Sequence, residues 1–148
     1  MVSLVDIFMA LLERFKMEFS DSNYYLLKLP QKHEAPAFLF NFVYKNTSTD
    51  NKYLVNKKID LQIIHFNTFD AYAEEDQFVK LNVMSDLDSI LSCCNLYVKD
   101  RNLKYSYDFG EADGNLTINI LLEFKDEKVI NDIILDNIEQ INLRLQEV

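Results

Sequence analysis

The stretch that most constrains the fold is 103–124. Leu103, Tyr105, Tyr107 and Phe109 alternate with Lys104, Ser106 and Asp108; after Asp113-Gly114, the residues Leu116, Ile118, Ile120, Leu122 and Phe124 alternate with Thr117, Asn119 and Glu123. A period of two places one row of side chains on each face of a strand. Asp-Gly supplies the two left-handed residues that a tight hairpin turn needs. This segment predicts two long antiparallel strands with one apolar face, and the rest of the chain must cover that face.

Two helices are predicted to do so. Ser3 is a candidate N-cap with Asp6 three residues on, and Leu4, Phe8, Leu11, Leu12, Phe15 and Phe19 recur at helical spacing, giving a helix over 4–19. A second helix is predicted over 70–92, with Val79, Val83, Leu87, Ile90 and Leu91 as its apolar stripe and the acidic 72–76 segment at its start. Three strands are predicted between them. Tyr24–Leu29 is stopped by Pro30; Phe38, Phe40, Phe42 and Tyr44 form one aromatic row; and 53–66 returns with Ile59, Leu61 and Ile63 on one face and Lys58, Asp60 and Gln62 on the other. Asn46–Asn51 is read as the polar connection, Leu96 and Val98 as a short strand, and Asp100–Asn102 as a turn. Ile130, Ile134, Ile138, Ile141 and Leu145 mark a last helix over 129–146, read either as cover for the sheet or as an arm that docks on a neighbouring subunit. The expected architecture is α-βββ-α-βββ-α, an α+β domain with an antiparallel sheet flanked by helices. It spans 1–148 as a single unit, with 129–148 as a helical extension.

Composition bounds function. The chain has 148 residues, 49% of them hydrophobic, only 2 Gly, and a formal net charge of −9. That supports a packed core and excludes a Gly-rich phosphate loop. The longest basic run is Lys57-Lys58, too little for sequence-specific nucleic-acid binding. The first residues lack the pattern of a signal peptide, and no apolar run approaches the length of a membrane span. The vicinal Cys93-Cys94 pair points to reduced thiols, with one of the two small and buried and the other packed less tightly.

No pattern of side chains predicts catalysis. His33 and His65 have no ligand-spaced partners, so neither a metal nor a cofactor is expected. The acids at 74–76, Asp86, Asp88, Glu111, Asp113 and 126–127 are read as solvated faces and turns, and the Phe38–Tyr44 row as core. The chain is expected not to be an enzyme.

The amphipathic opening Leu4–Phe19, the Pro36-Ala37-Phe38-Leu39-Phe40 strand entry, the 59–66 strand leading to the second helix, and the closing 103–124 hairpin together resemble the tail terminator proteins of phages and phage-like particles of low-GC Gram-positive hosts. The resemblance covers residues 3–125. It implies a homohexameric ring that sits on the last ring of the tail tube, stops tube polymerisation and joins the head or neck. The implied partners are copies of itself, the tail tube protein, a head, neck connector or collar protein and, in contractile particles, the sheath. The implied location is the tail of the particle, assembled in the host cytoplasm. The family has no catalytic residues to carry over. Acidity suits a wall past which DNA moves, and Asp50, Glu111 and Asp113 are the candidate lumen-facing acids. The alternatives are another tail-assembly factor, such as a head–tail completion protein or assembly chaperone, and a small hydrolase.

Overall fold

The computed structural model describes residues 1–32, 34–67 and 77–127. Two helices and six strands run in the order α1 (Leu4–Glu18), β1 (Asn23–Leu26), β2 (Ala37–Thr49), β3 (Leu54–Phe66), α2 (Gln77–Leu91), β4 (Asn95–Val98), β5 (Arg101–Ala112) and β6 (Asn115–Glu127). The strands form one sheet in the order β1-β2-β3-β6-β5-β4. The chain is therefore α+β, as expected. The last predicted helix, with Ile130, Ile134, Ile138, Ile141 and Leu145, lies outside the described residues, as do His33 and the acidic start of the second helix.

Ser3 caps α1 through a reciprocal pair. Its hydroxyl accepts from the Asp6 amide (3.1 Å), and the Asp6 carboxylate accepts from the Ser3 amide (2.8 Å), so two donors at the helix start are satisfied. Ile7, Leu11 and Phe15, four residues apart, become fully buried on the sheet. The β5–β6 turn is the two-residue Asp113-Gly114, both with positive φ (52° and 80°), and Ala112 pairs with Asn115 across it. This is the turn the Asp-Gly signal predicts.

Four expectations are corrected. First, the sheet is not wholly antiparallel: β1 pairs with β2 in parallel, Asn23 opposite Ala37. β1 is only four residues long, so the ten-residue connection 27–36 is long enough to bring the chain back to the same end. Second, Asn46–Thr49 extend β2 as strand, and the turn occupies 50–53. Third, the register shifts between Phe42 and Tyr44. Phe42 pairs with Leu61 but Tyr44 with Asp60, so the alternation read through Tyr44 breaks at Val43. A bulge adds one residue to one strand and reverses the phase beyond it. Fourth, the β4–β5 turn is Lys99-Asp100, not 100–102; both residues have positive φ, and Val98 pairs with Arg101.

Both helices lie on one face. Ile59, Leu61 and Ile63 of β3 and Leu116, Ile118, Ile120 and Leu122 of β6 are buried beneath them. The aromatic row enters this core. Phe38 and Phe40 are fully buried, and the Phe15 ring meets both edge-on at 5.3 and 5.4 Å. The opposite face, with Lys58, Asp60, Gln62, Asn119, Leu121 and Glu123, carries no helix among the described residues.

Candidate functional site

The candidate lumen acids occupy opposite ends of the sheet. Asp50 sits at the β2–β3 turn, where Leu54 pairs with Glu127 at the end of β6. Glu111 and Asp113 lie at the start of β6, roughly 40 Å away for a strand of this length. The fold brings Glu111 and Asp113 together and leaves Asp50 apart. Two of the three acids are also charge-paired: Asp50 with Lys125 (3.1 Å) and Glu111 with Lys80 (2.7 Å). Lys80 also donates to the Gly114 carbonyl (3.2 Å), tying the hairpin tip to α2. Asp113 serves the turn through its backbone.

His65 is buried beside the Phe38 ring, 4.7 Å between ring centres. Burial pushes its pKa down to about 4, so the imidazole is neutral at pH 7. Its place is in the core.

Neither cysteine is fully buried, contrary to the expectation for one of them. Cys94 is half-buried against the core and Cys93 is exposed; both are free thiols. Cys94 turns the chain out of α2 with φ 54°. Cys93 belongs to a cluster that sequence reasoning missed. The Arg14 guanidinium donates to Cys93 Sγ (3.5 Å), Tyr105 Oη (3.2 Å) and the Asn95 carbonyl (2.9 Å). Tyr105 in turn donates to the Leu91 carbonyl at the end of α2 (2.6 Å). The Asn95 backbone, then the Tyr105 hydroxyl and the Arg14 charge, hold the Cys93 thiol below its usual range against the opposing effect of burial. A nucleophilic mechanism also needs a base, and these contacts include neither a histidine nor a carboxylate. The cluster's structural effect is plain: it pins α1, the end of α2 and β4 to β5. Arg14 and Cys93 are 79 residues apart, and no local pattern links them.

A second cluster was also missed, although strand phase could have found it. Lys57 shares the parity of Ile59, Leu61 and Ile63, and Asp126 that of Leu122 and Phe124, so both point into the core. Lys57 is 4% and Asp126 1% exposed, and they pair at 2.8 Å. Asp126 also accepts from the Val2 amide (2.9 Å) and from Arg101 (3.0 Å). Arg101 donates to the Lys125 carbonyl as well. Burial alone would raise the Asp126 pKa, but Lys57 and the Val2 and Glu127 amides outweigh it and hold the carboxyl at about 2. The two fully buried charges neutralise each other, as a buried ion pair requires, and Arg101, the carboxylate's second cation, is 40% exposed. The cluster anchors the start of α1 to β3, β5 and β6.

Among the described residues, two surface clefts are each about 600 Å³. On the uncovered face, Asp60, Gln62, Asp108, Asn119, Val43 and Leu121 line a shallow cleft of about 590 Å³, with Asn119 donating to Asp108 (2.9 Å). Between α1 and β4 runs a groove of about 600 Å³, floored by Met9, Ala10, Leu12, Met17, Tyr97 and Val98. Among the described residues no group of three His, Cys, Asp or Glu side chains could hold a metal ion. No described helix is long and apolar enough to cross a membrane.

The sheet's edges complete the description. β1 pairs with β2 only as far as Phe40, and β4 with β5 only as far as Lys104. Among the described strands, 41–49 of β2 and 106–112 of β5 have no partner on their outer sides. Against this geometry, neither a protein-family model nor a curated protein matches the chain.

Proposed function

We propose that this protein is a structural subunit that caps the head-proximal end of a phage-type tail tube as a homohexameric ring. On this reading it stops tube polymerisation and offers the surface that a head, neck or collar protein joins. In a contractile particle it would also touch the sheath. The resemblance of residues 3–125 to tail terminators suggests the role and the sixfold symmetry.

The observation that best supports assembly is the pair of open strand edges on opposite sides of the sheet. β2 and β5 run in opposite directions, so the 106–112 edge of one copy can continue the sheet at the 41–49 edge of the next as an antiparallel pair. Such a contact uses two different surfaces and closes into a ring when its rotation permits. The bulge at Val43 and the exposed Lys45 restrict the β2 edge to a partner that accommodates them. The sheet face that carries no described helix bears Lys58, Asp60, Gln62, Asn119 and Glu123 and fits a wetted wall. Because Asp50 and Glu111 are already paired with lysines, the repulsion of DNA assigned to them is reduced.

Removing the protein tests the role. Tails should grow long and irregular, or fail to join heads. Infectious particles with tails of normal length, made in its absence, would refute it.

A further inference from the structure

Gly114 follows Asp113, and this is the one Asp-Gly or Asn-Gly step in the sequence. Both residues are exposed at the tip of the β5–β6 hairpin, and a Cβ added at Gly114 would meet nothing within 4 Å. Such a step carries its own chemistry. The Gly114 amide nitrogen can attack Cγ of the protonated Asp113 carboxyl. A C–N bond forms, a C–O bond breaks, and the nitrogen's proton leaves with the hydroxyl as water. Water then opens the five-membered imide. Opening at the α-carbonyl routes the chain through Cβ and Cγ and frees the α-carboxylate, which gives isoaspartate of unchanged mass. Glycine favours the attack because no side chain crowds the approach to its nitrogen.

Turn geometry decides whether that nitrogen reaches Cγ. Asp113 (φ 52°) and Gly114 (φ 80°) form a two-residue turn closed by the Ala112–Asn115 pair, the type I′ pattern. In such a turn ψ of the first residue is about +30°, which sets the following nitrogen nearly opposite Cβ across the Cα–C bond. Ring closure needs the nitrogen on the side of Cβ, near the ψ of about −120° that a type II′ turn has at its first position. With φ still positive that position takes glycine, because a Cβ crowds it. Asp113 therefore reaches the reactive geometry only by turning φ negative, which lifts the tip out of the hairpin. Lys80 of α2 opposes that motion. Its ammonium donates to the Gly114 carbonyl (3.2 Å) and to the Glu111 carboxylate (2.7 Å), gripping residues before and within the turn. The Lys80 side chain is only 13% exposed, so water competes little for these bonds.

We infer that Asp113 is the chain's site of isoaspartate formation, and that the Lys80 clamp sets its rate by holding the turn closed. The product adds one atom to the backbone of a two-residue turn, so the Ala112–Asn115 register is lost where it forms. The inference stands apart from the ring proposal and does not rest on it.

Ageing the full chain in mildly acidic buffer tests this, with wild type, Lys80→Met, and wild type held unfolded in urea. Electron-transfer fragmentation of the digested protein separates isoaspartate from aspartate and locates it. Isoaspartate at 113 should form slowest in folded wild type, about fivefold or more faster in Lys80→Met, and fastest in the unfolded chain. Hydrogen exchange should show β3 and β6 equally protected in wild type and variant. If folded wild type reacts as fast as the unfolded chain, the turn is no lock and the inference fails. It fails equally if Lys80→Met reacts at the wild-type rate, or if isoaspartate forms first at another residue. If Lys80→Met loses sheet protection, Glu111→Gln replaces it; that variant should react faster than wild type, and an unchanged rate would overturn the inference.

Discussion

Lys57 and Lys58 are consecutive, yet they inhabit different worlds. Lys57 is 4% exposed and joined to a buried carboxylate at 2.8 Å; Lys58 is 50% exposed and lies 3.8 Å from Glu123, itself 61% exposed. The same contrast separates Asp126 from Glu123 on β6. One face of the sheet takes charge only where every charge has partners, and the other takes it freely. The difference is one of strand phase: neighbouring residues of a strand look to opposite sides. On the helix-covered side an ion pair is a structural fixture. On the side without a described helix, the half-exposed Lys58–Glu123 pair adds little to stability.

Breaking the two pairs should expose this difference. Asp126→Ala strands Lys57 beneath α1 and should cost about 3–5 kcal/mol in denaturant unfolding, the range for a buried pair deprived of one partner. The Lys57→Met/Asp126→Leu double variant should lose less than either single change, because the fully buried charge is gone with its partner and Arg101, which also loses Asp126, is 40% exposed and can turn to water. If the single and double losses simply add, the pair is not coupled as described.

Acid should act on the same cluster. The Asp126 pKa is lowered from 3.8 to about 2 by folding. A carboxylate depressed in this way contributes stability fully above its unfolded pKa and loses it as pH falls through the folded value. Stability should therefore drop between about pH 4 and pH 2, and the drop should be smaller in Asp126→Asn. An equal acid slope in the two proteins would assign the loss to other carboxylates.

Tyr105→Phe should have a smaller effect, about 1–2 kcal/mol, because it removes the hydroxyl that bonds the Leu91 carbonyl and accepts from Arg14. It also removes one of the contacts that hold the Cys93 thiol below its usual range, so Cys93, which is already exposed, should react more slowly with a thiol reagent near neutral pH. Glu123→Ala, on the open face, should change stability by less than about 0.5 kcal/mol. A larger loss would mean that this face is covered in solution.

The regular parts of the molecule were legible in the residues. The 103–124 hairpin, its Asp-Gly turn, the Ser3 cap and the α+β class follow from local chemistry. Parity would have placed Lys57 and Asp126 in the core had the phase of Ile59–Ile63 and Leu116–Phe124 been carried two residues further. The bulge at Val43 was not legible, because no glycine or proline marks it and the aromatic alternation runs straight through. The parallel course of β1 was also hidden, since it depends on how the 27–36 connection travels and not on the strand residues. The Arg14–Cys93–Tyr105 cluster joins residues far apart in the chain, and only the packing of α1 over β5 brings them together. Of the candidate acids, the residues could mark Asp50, Glu111 and Asp113 as exposed turn positions. Their separation to opposite ends, and their lysine partners, required the strand order.

The central claim is that this sheet and its open edges build a ring that closes a tube. Negative-stain imaging of the purified protein mixed with tail tubes from the same particle tests it most directly. The account predicts sixfold rings seated on one end of the tubes, with monomers in dilute protein alone. A stable dimer that ignores the tubes, or tubes whose ends remain bare at saturating protein, would contradict it.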